Sequence, residues 1–248
     1  MIIPTSFRYI CCIIHLLEPK SAILIFTRSV CEEAENKKFL AKGSKKLRIQ
    51  LASTFYNHTI DTVKASGLPY FIFKSESQQG ENFGHRLSNA FITIFNEGYE
   101  SVIAIGNDTP QLRSQDLQRA NAELQKNNAI VGPSADGGVY LIGLKKTDFQ
   151  PQLFAELNWE TGNLGCGLLL YLNNIGSSIV LLKKYHDIDT TTDFQQFNFN
   201  RSIPLQFIYI IKSILSILGI IFYTYKHNTQ FTKLSFNLAL RGPPRFLS

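Results

Sequence analysis

Three short stretches of the chain put acids where a carboxylate can do chemistry. In "SVIAIGNDTPQL" (101–112), Asp108 follows a strand-like run and sits between Gly106 and Pro110. In "GPSADGGVYLIGL" (132–144), Asp136, Gly137 and Gly138 directly precede another apolar run. In "YHDIDTTTDF" (185–194), Asp187 and Asp189 alternate just after a third. An acid at the carboxyl end of a buried strand can hold a hard divalent cation, and Mg²⁺ takes only one or two protein carboxylates alongside substrate phosphates. Asp187 and Asp189 could supply the other half of such a site. Turn chemistry uses the same residues. Asn-Asp-x-Pro starts a turn, Asp-Gly joins a hairpin, and Asp189 or Thr190 suits a helix cap. Taken singly, each stretch leaves both uses open, but three such loops in one sheet exceed what turns need.

The elements that must hold these loops are legible as apolar periodicity. Runs at 22–26, 70–73, 101–105, 129–132, 139–144 and 178–182 predict strands, several of them uniformly apolar as in a sheet covered on both faces. Helical spacing appears at 45–66 through Leu47, Leu51, Phe55, Ile60 and Val63, and at 84–97 through Leu87, Ala90, Phe91, Ile94 and Phe95. Ser114 reads as the N-cap of a helix carrying Leu117, Ala120 and Leu124, and another helix is expected around 165–173. Alternating strands and helices predict an α/β fold, a single three-layer domain with a mostly parallel central sheet. Ligands of such sheets bind beyond the carboxyl ends of the strands.

A chain of 248 residues, 44% apolar and 18% charged, suits one good-sized globular domain and excludes a disordered tail. Cys11, Cys12, Cys31 and Cys166 form no C-x-x-C pair, so neither a zinc site nor a disulfide framework is indicated. They are expected as small apolar residues in a reduced, cytoplasmic setting. Net charge is +6, yet no acid occurs from Phe194 onward, where Arg201, Lys212, Lys226, Lys233, Arg241 and Arg245 lie. The body is therefore neutral, which argues against a nucleic-acid partner and turns attention to an anionic membrane surface for the tail.

Domain bounds follow from these shifts: a lead-in at 1–20, the α/β body at 21–200, and a basic, apolar C-terminal helix and tail at 201–248. Tyr9–Leu17 imitates a signal peptide without a cleavage pattern, so a loosely docked lead-in is expected. Leu205–Tyr225 is long enough to span a bilayer but contains Lys212 and a narrow polar stripe through Gln206, Ser213, Ser216 and Gly219. A helix docked on the body, an interfacial helix contacting the membrane through residues 203–226, and a true span are the alternatives.

Five motifs, in order, carry a family resemblance. Gln79, Gly80, Gly84, Arg86 and Leu87 come first, then Gly106, Asn107, Asp108, Pro110 and Leu112. Gly132, Pro133, Asp136, Gly137, Gly138, Tyr140, Leu141 and Gly143 follow, then Trp159 and Thr161, then Asp187, Asp189 and Thr190. From about residue 22 to 197 the chain resembles an uncharacterised glycosyltransferase-A-like family named "rSAM/selenodomain-associated transferase 1". The resemblance implies a nucleotide-diphosphosugar transferase fold. By the same resemblance Asp108 would hold Mg²⁺ or Mn²⁺ with help from Asp189 or Asp187, and Asp136 would orient or deprotonate an acceptor hydroxyl. Arg86, Gly106, Asn107, Gly137, Gly138, Trp159 and Thr161 would contact a nucleotide or nucleotide-sugar. Trp159 alternatively plugs the edge of the sheet.

The implied activity is transfer from a nucleotide-activated sugar. Its alternatives are nucleotidyl transfer to a phosphorylated small molecule, and a catalytically degenerate nucleotide-binding homologue. The last is raised by a departure. After the first strand the chain reads "TRSVCEEAENKKFLAKGSKKLR", without the glycine-lysine-threonine-arginine phosphate grip of many members. Lys37, Lys38, Lys42, Lys45, Lys46 and Arg48 either replace it or form a solvated helix face. Thr191 stands where a proline is common, and His85 where glutamate is usual. His85 and His186 read as surface or supporting residues.

Overall fold

The structure, a computed structural model, describes residues 20–36, 44–126, 128–190, 193, 203–217, 223–224 and 232–233. The lead-in before Lys20, the lysines at 37, 38 and 42, Thr191 and the closing "RGPPRFLS" lie outside these residues. Six apolar stretches pair into one sheet: β1 (Ser21–Phe26), β2 (Tyr70–Phe73), β3 (Ser101–Ile105), β4 (Asn128–Pro133), β5 (Val139–Lys145) and β6 (Ser178–Leu181). Their order is β2-β1-β3-β5-β4-β6, with β5 antiparallel to both neighbours and every other pairing parallel.

Strand side chains alternate between two cores. Ala22, Leu24, Val102, Ala104 and Val131 face one side, where they meet α3 (Phe83–Asn96), α5 (Pro151–Ala155) and α6 (Leu164–Asn174). Ile23, Ile25, Ile103 and Ile130 face the other, against Leu117, Ala120 and Leu124 of α4 (Ser114–Gln125) and Val63 of α2 (Lys45–Ser66). Each fully buried aliphatic side chain contributes about 1.5–3 kcal/mol relative to exposure. The expected three-layer α/β fold with a mostly parallel sheet is the observed one.

Three local expectations are corrected. Ser114 is the first helical residue, not the cap, because the Asp116 carboxylate reaches back to accept from the Arg113 N–H at 3.1 Å. Cys31, on α1 (Val30–Asn36), and Cys166, on α6, are exposed free thiols, since both sit on solvent-facing sides of their helices. The C-terminal helix α7 (Leu205–Ile217) does not run on to Tyr225, because Tyr223–Thr224 pairs as a short strand with Thr232–Lys233.

Helix α7 docks on the body. Phe207, Ile211 and Ile214, with Ile203 before them, pack against Leu51 and Phe55 of α2. The Phe207 and Phe55 rings meet edge-on with centroids 5.3 Å apart. Leu205, 84% exposed, and Tyr209, 74% exposed, point outward beside Gln206 and Ser213. Among the described residues no helix is long and apolar enough to cross a membrane.

Candidate active site

Because β1, β3, β4 and β6 run the same way, their carboxyl ends open on one side of the sheet. A cleft of about 680 Å³ lies there. It is lined by Arg86, Gly106, Asn107, Asp108, Asp136, Gly138, Trp159, Thr161, Asp187 and Asp189, so all but one of the sequence-nominated residues converge. The exception is Gly137.

Asp108 and Asp187 are the electrostatic centre. Asp187, half-buried beyond β6, accepts hydrogen bonds from the Ser134 hydroxyl at 2.6 Å and from the Thr109 hydroxyl. Burial, and then the Asp108 carboxylate beside it, push the Asp187 carboxyl up to about 7, against the pull of the two hydroxyls. Backbone bonds stitch the loops together: Ile188 N donates to Asp108 O at 3.0 Å, and Ala135 N to Tyr185 O at 2.9 Å. Asp189 lies exposed at the rim, its N–H donating to the Asp193 carboxylate at 3.0 Å. The Thr190 hydroxyl accepts from Asp193 N at 3.2 Å.

The Asp136 loop is both of the things its sequence allowed. It closes the antiparallel β4–β5 hairpin, with Ser134 N donating to Gly138 O at 2.9 Å, and it faces the cleft. Asp136 accepts from Gly138 N at 3.0 Å, fixing its own turn. Gly137 instead turns away from the lining. Its φ of 93° and a would-be Cβ 2.1 Å from Gly162 O admit only glycine, and its carbonyl takes the Gly165 N–H at 3.0 Å. It anchors the loop to the start of α6.

Arg86 projects from the first turn of α3, whose cap Asn82 accepts from His85 N at 2.9 Å. Gly84 of the same turn lies under Trp159, where a Cβ would come within 2.5 Å of the indole Cδ1. Trp159 donates its indole N–H to Phe154 O at 2.9 Å and packs on the Phe83 and Phe154 rings while lining the cleft. Plug and ligand-facing wall are thus one residue. The Thr161 hydroxyl is spent on Asn158 O at 2.7 Å. His85 and His186 are exposed and outside the lining.

Sequence reasoning missed several lining residues. Arg28 follows β1 directly, with its guanidinium 3.8 Å from both the buried Glu33 and Glu160, which holds a left-handed φ of 58°. Glu32 closes the start of α1 by accepting from the Ser29 N–H at 3.1 Å. Gln78 ties the ends of β1 and β2 by donating to Thr27 O and Phe73 O at 2.9 and 3.0 Å. The strand-end rule that finds Asp108 also finds Arg28, and Thr109 and Ser134 sit inside motifs already singled out. Among the described residues the cleft therefore carries Glu32, Glu33, Asp108, Asp136, Glu160, Asp187 and Asp189 against Arg28 and Arg86. Among the described residues, no three His, Cys, Asp or Glu side chains form a metal-holding group.

Residues 48–161 match the family model described as "Uncharacterized protein conserved in bacteria (DUF2064)". A crystal structure of a "putative nucleotide-diphospho-sugar transferase" from Desulfovibrio desulfuricans G20 has a TM-score of 0.72 at 22% identity, covering 82% of this chain and 98% of that one. Rv0371c from Mycobacterium tuberculosis H37Rv is a looser likeness, with a TM-score of 0.48 at 16% identity over 71% of this chain and 96% of its own. The same protein in complex with manganese gives 0.41 at 13% identity, with 71% and 96% covered. No curated protein matches the sequence. The family model thus covers residues 48–161, which carry four of the five motifs, and the sheet and its surrounding helices share the fold of the putative nucleotide-diphospho-sugar transferase.

Proposed function

We propose that the protein is a metal-dependent transferase acting on a nucleotide-activated sugar. The observation that carries this reading is the meeting of Asp108 and Asp187 at the carboxyl ends of β3 and β6, inside a cleft large enough for a nucleotide. The donor set fits a hard divalent cation. Two carboxylates from the loops after separate strands repel one another in a partly dry site, and among the described residues neither has a guanidinium or ammonium pair. Mg²⁺ or Mn²⁺ needs no third carboxylate when substrate phosphates complete its shell. Bound there, it would neutralise charge developing on a departing nucleoside diphosphate.

The chain's own residues would do the rest. An acidic cleft repels phosphate, so Arg86 and Arg28 would hold the phosphate oxygens that the cation leaves free. Asp187, kept in place by Ser134 and Thr109, would orient the cation-binding pair. Asp136, exposed on its rigid hairpin, would accept a hydrogen bond from an acceptor hydroxyl, and Trp159 would offer its free face to a sugar or base. Asp189 at the rim would assist as an outer oxygen donor. Nucleotidyl transfer uses the same parts with attack at the α-phosphate, and release of pyrophosphate distinguishes it.

The outward side of α7, with Leu205 and Tyr209 exposed and an acid-free, basic segment following, suits contact with an anionic membrane surface at its cytoplasmic face. The test of the central reading is a thermal-shift panel of nucleoside triphosphates, diphosphates and nucleotide sugars with Mn²⁺, Mg²⁺ or chelator. Metal-dependent stabilisation by one nucleotide sugar, absent in Asp108→Asn, is expected. A panel that is flat throughout, or unchanged in the variant, overturns it and leaves the degenerate homologue.

A further inference from the structure

The family match ends at residue 161, yet Asp187 and the helix behind it come later in the chain. Ile188, between the two acids, is fully buried, and its side chain enters the apolar cluster formed by α2 and α7 with Phe207 and Ile211. Its N–H meanwhile donates to Asp108 O at 3.0 Å. One residue is thus gripped by α7 through its side chain and by the Asp108 loop through its backbone. A second path reaches the same loop. The Phe207 ring lies 4.5 Å from the His58 ring, and His58 Nε2 bonds Pro110 O at 2.9 Å, two residues beyond Asp108. Phe207 is buried and does not line the cleft.

We infer that Phe207 is a positioning residue for the Asp108–Asp187 pair: the docking of α7 sets the separation of the two carboxylates, and so the affinity for a divalent cation. The inference rests on the cation reading above and adds to it a determinant outside the cleft. The Asp108 loop leans on this aromatic side chain through His58, and the Asp187 loop on the apolar cluster to which it belongs. Replacing it lets Ile188 and Pro110 relax independently, which spreads the pair without removing either ligand.

The chain's single tryptophan, Trp159, lines the cleft and reports on the site through quenching by Mn²⁺ alone. Titrations of the full chain compare wild type with Asp108→Asn, Phe207→Ala, Phe207→Leu and Phe95→Ala. Phe95 is as buried as Phe207 but lies on the opposite face of the sheet. Supports of metal ligands typically alter affinity about 10- to 100-fold, so Phe207→Ala is expected to weaken Mn²⁺ at least tenfold while Phe95→Ala leaves it near wild type. Phe207→Leu, which keeps most of the contact, is expected to recover most of the loss. If Phe207→Ala does not fold, Phe207→Leu against Phe95→Leu decides, with a loss confined to the first. Equal affinities, or equal losses at both sites, overturn the inference. No binding by wild type, or unchanged binding by Asp108→Asn, overturns the cation reading instead.

Discussion

The Ser134 hydroxyl donates to the Asp187 carboxylate over 2.6 Å, from a side chain that is itself 1% exposed. It joins the turn of the β4–β5 hairpin to the loop after β6, so two acidic loops share one hydrogen bond. A hydrogen bond to a charged group contributes about 1.5–3 kcal/mol. Serine to alanine keeps the volume here and removes the donor. Ser134→Ala is therefore expected to weaken Mn²⁺ binding roughly tenfold with little change in fold, as read by Trp159 quenching and far-ultraviolet circular dichroism.

Gly137→Ala is expected to act on stability rather than on the chemistry. The new methyl would meet Gly162 O at 2.1 Å, and the φ of 93° is itself unfavourable for alanine. Strain of this kind costs about 1–3 kcal/mol, and here neighbouring backbone must also move. The urea midpoint should fall with an unchanged slope. A midpoint equal to wild type would mean that the hairpin loop is not held against α6.

Much of this arrangement was legible in the sequence, because the apolar run of β3 leads straight into the loop that carries Asp108. Local pattern carries that information. The hydroxyl support of Asp187 was not legible, since Thr109 and Ser134 are 78 and 53 residues from it and either reads as ordinary turn chemistry. Gly137 looked like a ligand-facing residue for a similar reason. Paired glycines announce close approach, but only tertiary packing says whether a ligand or Gly162 is the neighbour. The seat of α7 also depends on a pairing, between Phe207 and Phe55, that no periodicity within either helix specifies.

His58 gives the fold an acid-sensitive point. A carbonyl only accepts, so the bond to Pro110 O puts the proton on Nε2. Burial holds the imidazole below its ordinary 6.5, outweighing the Pro110 bond and the Asp61 charge that favour protonation. The unfolded chain then binds the extra proton first as the pH falls. The contribution is complete above about pH 6.5 and is lost on acidification toward the lowered folded value, by at most about 1.4 kcal/mol per pH unit. Wild type should lose more Tm between about pH 7.5 and 5.5 than His58→Gln does, with the difference vanishing above neutrality.

Contact with a membrane separates cleanly from docking of α7, because the two use opposite sides of one helix. Tyr209 is 74% exposed and Leu205 84%, whereas Phe207 and Ile211 are buried against the body. Tyr209→Ser is thus expected to leave Tm unchanged. Six bases without one acid from Phe194 onward give the segment an attraction worth about 1 kcal/mol for each base that reaches an anionic surface. Burying part of a tyrosine adds roughly another 1 kcal/mol. Full-length protein should co-sediment with phosphatidylserine vesicles at low salt, and release as the Debye length shrinks to about 3 Å near 1 M salt. Tyr209→Ser should weaken binding about fivefold at fixed salt, the equivalent of that 1 kcal/mol. Binding that ignores salt, or vesicles of neutral lipid that bind equally well, would remove the electrostatic argument. Absence of binding at any salt would leave the exposed face of α7 as plain solvent-facing surface.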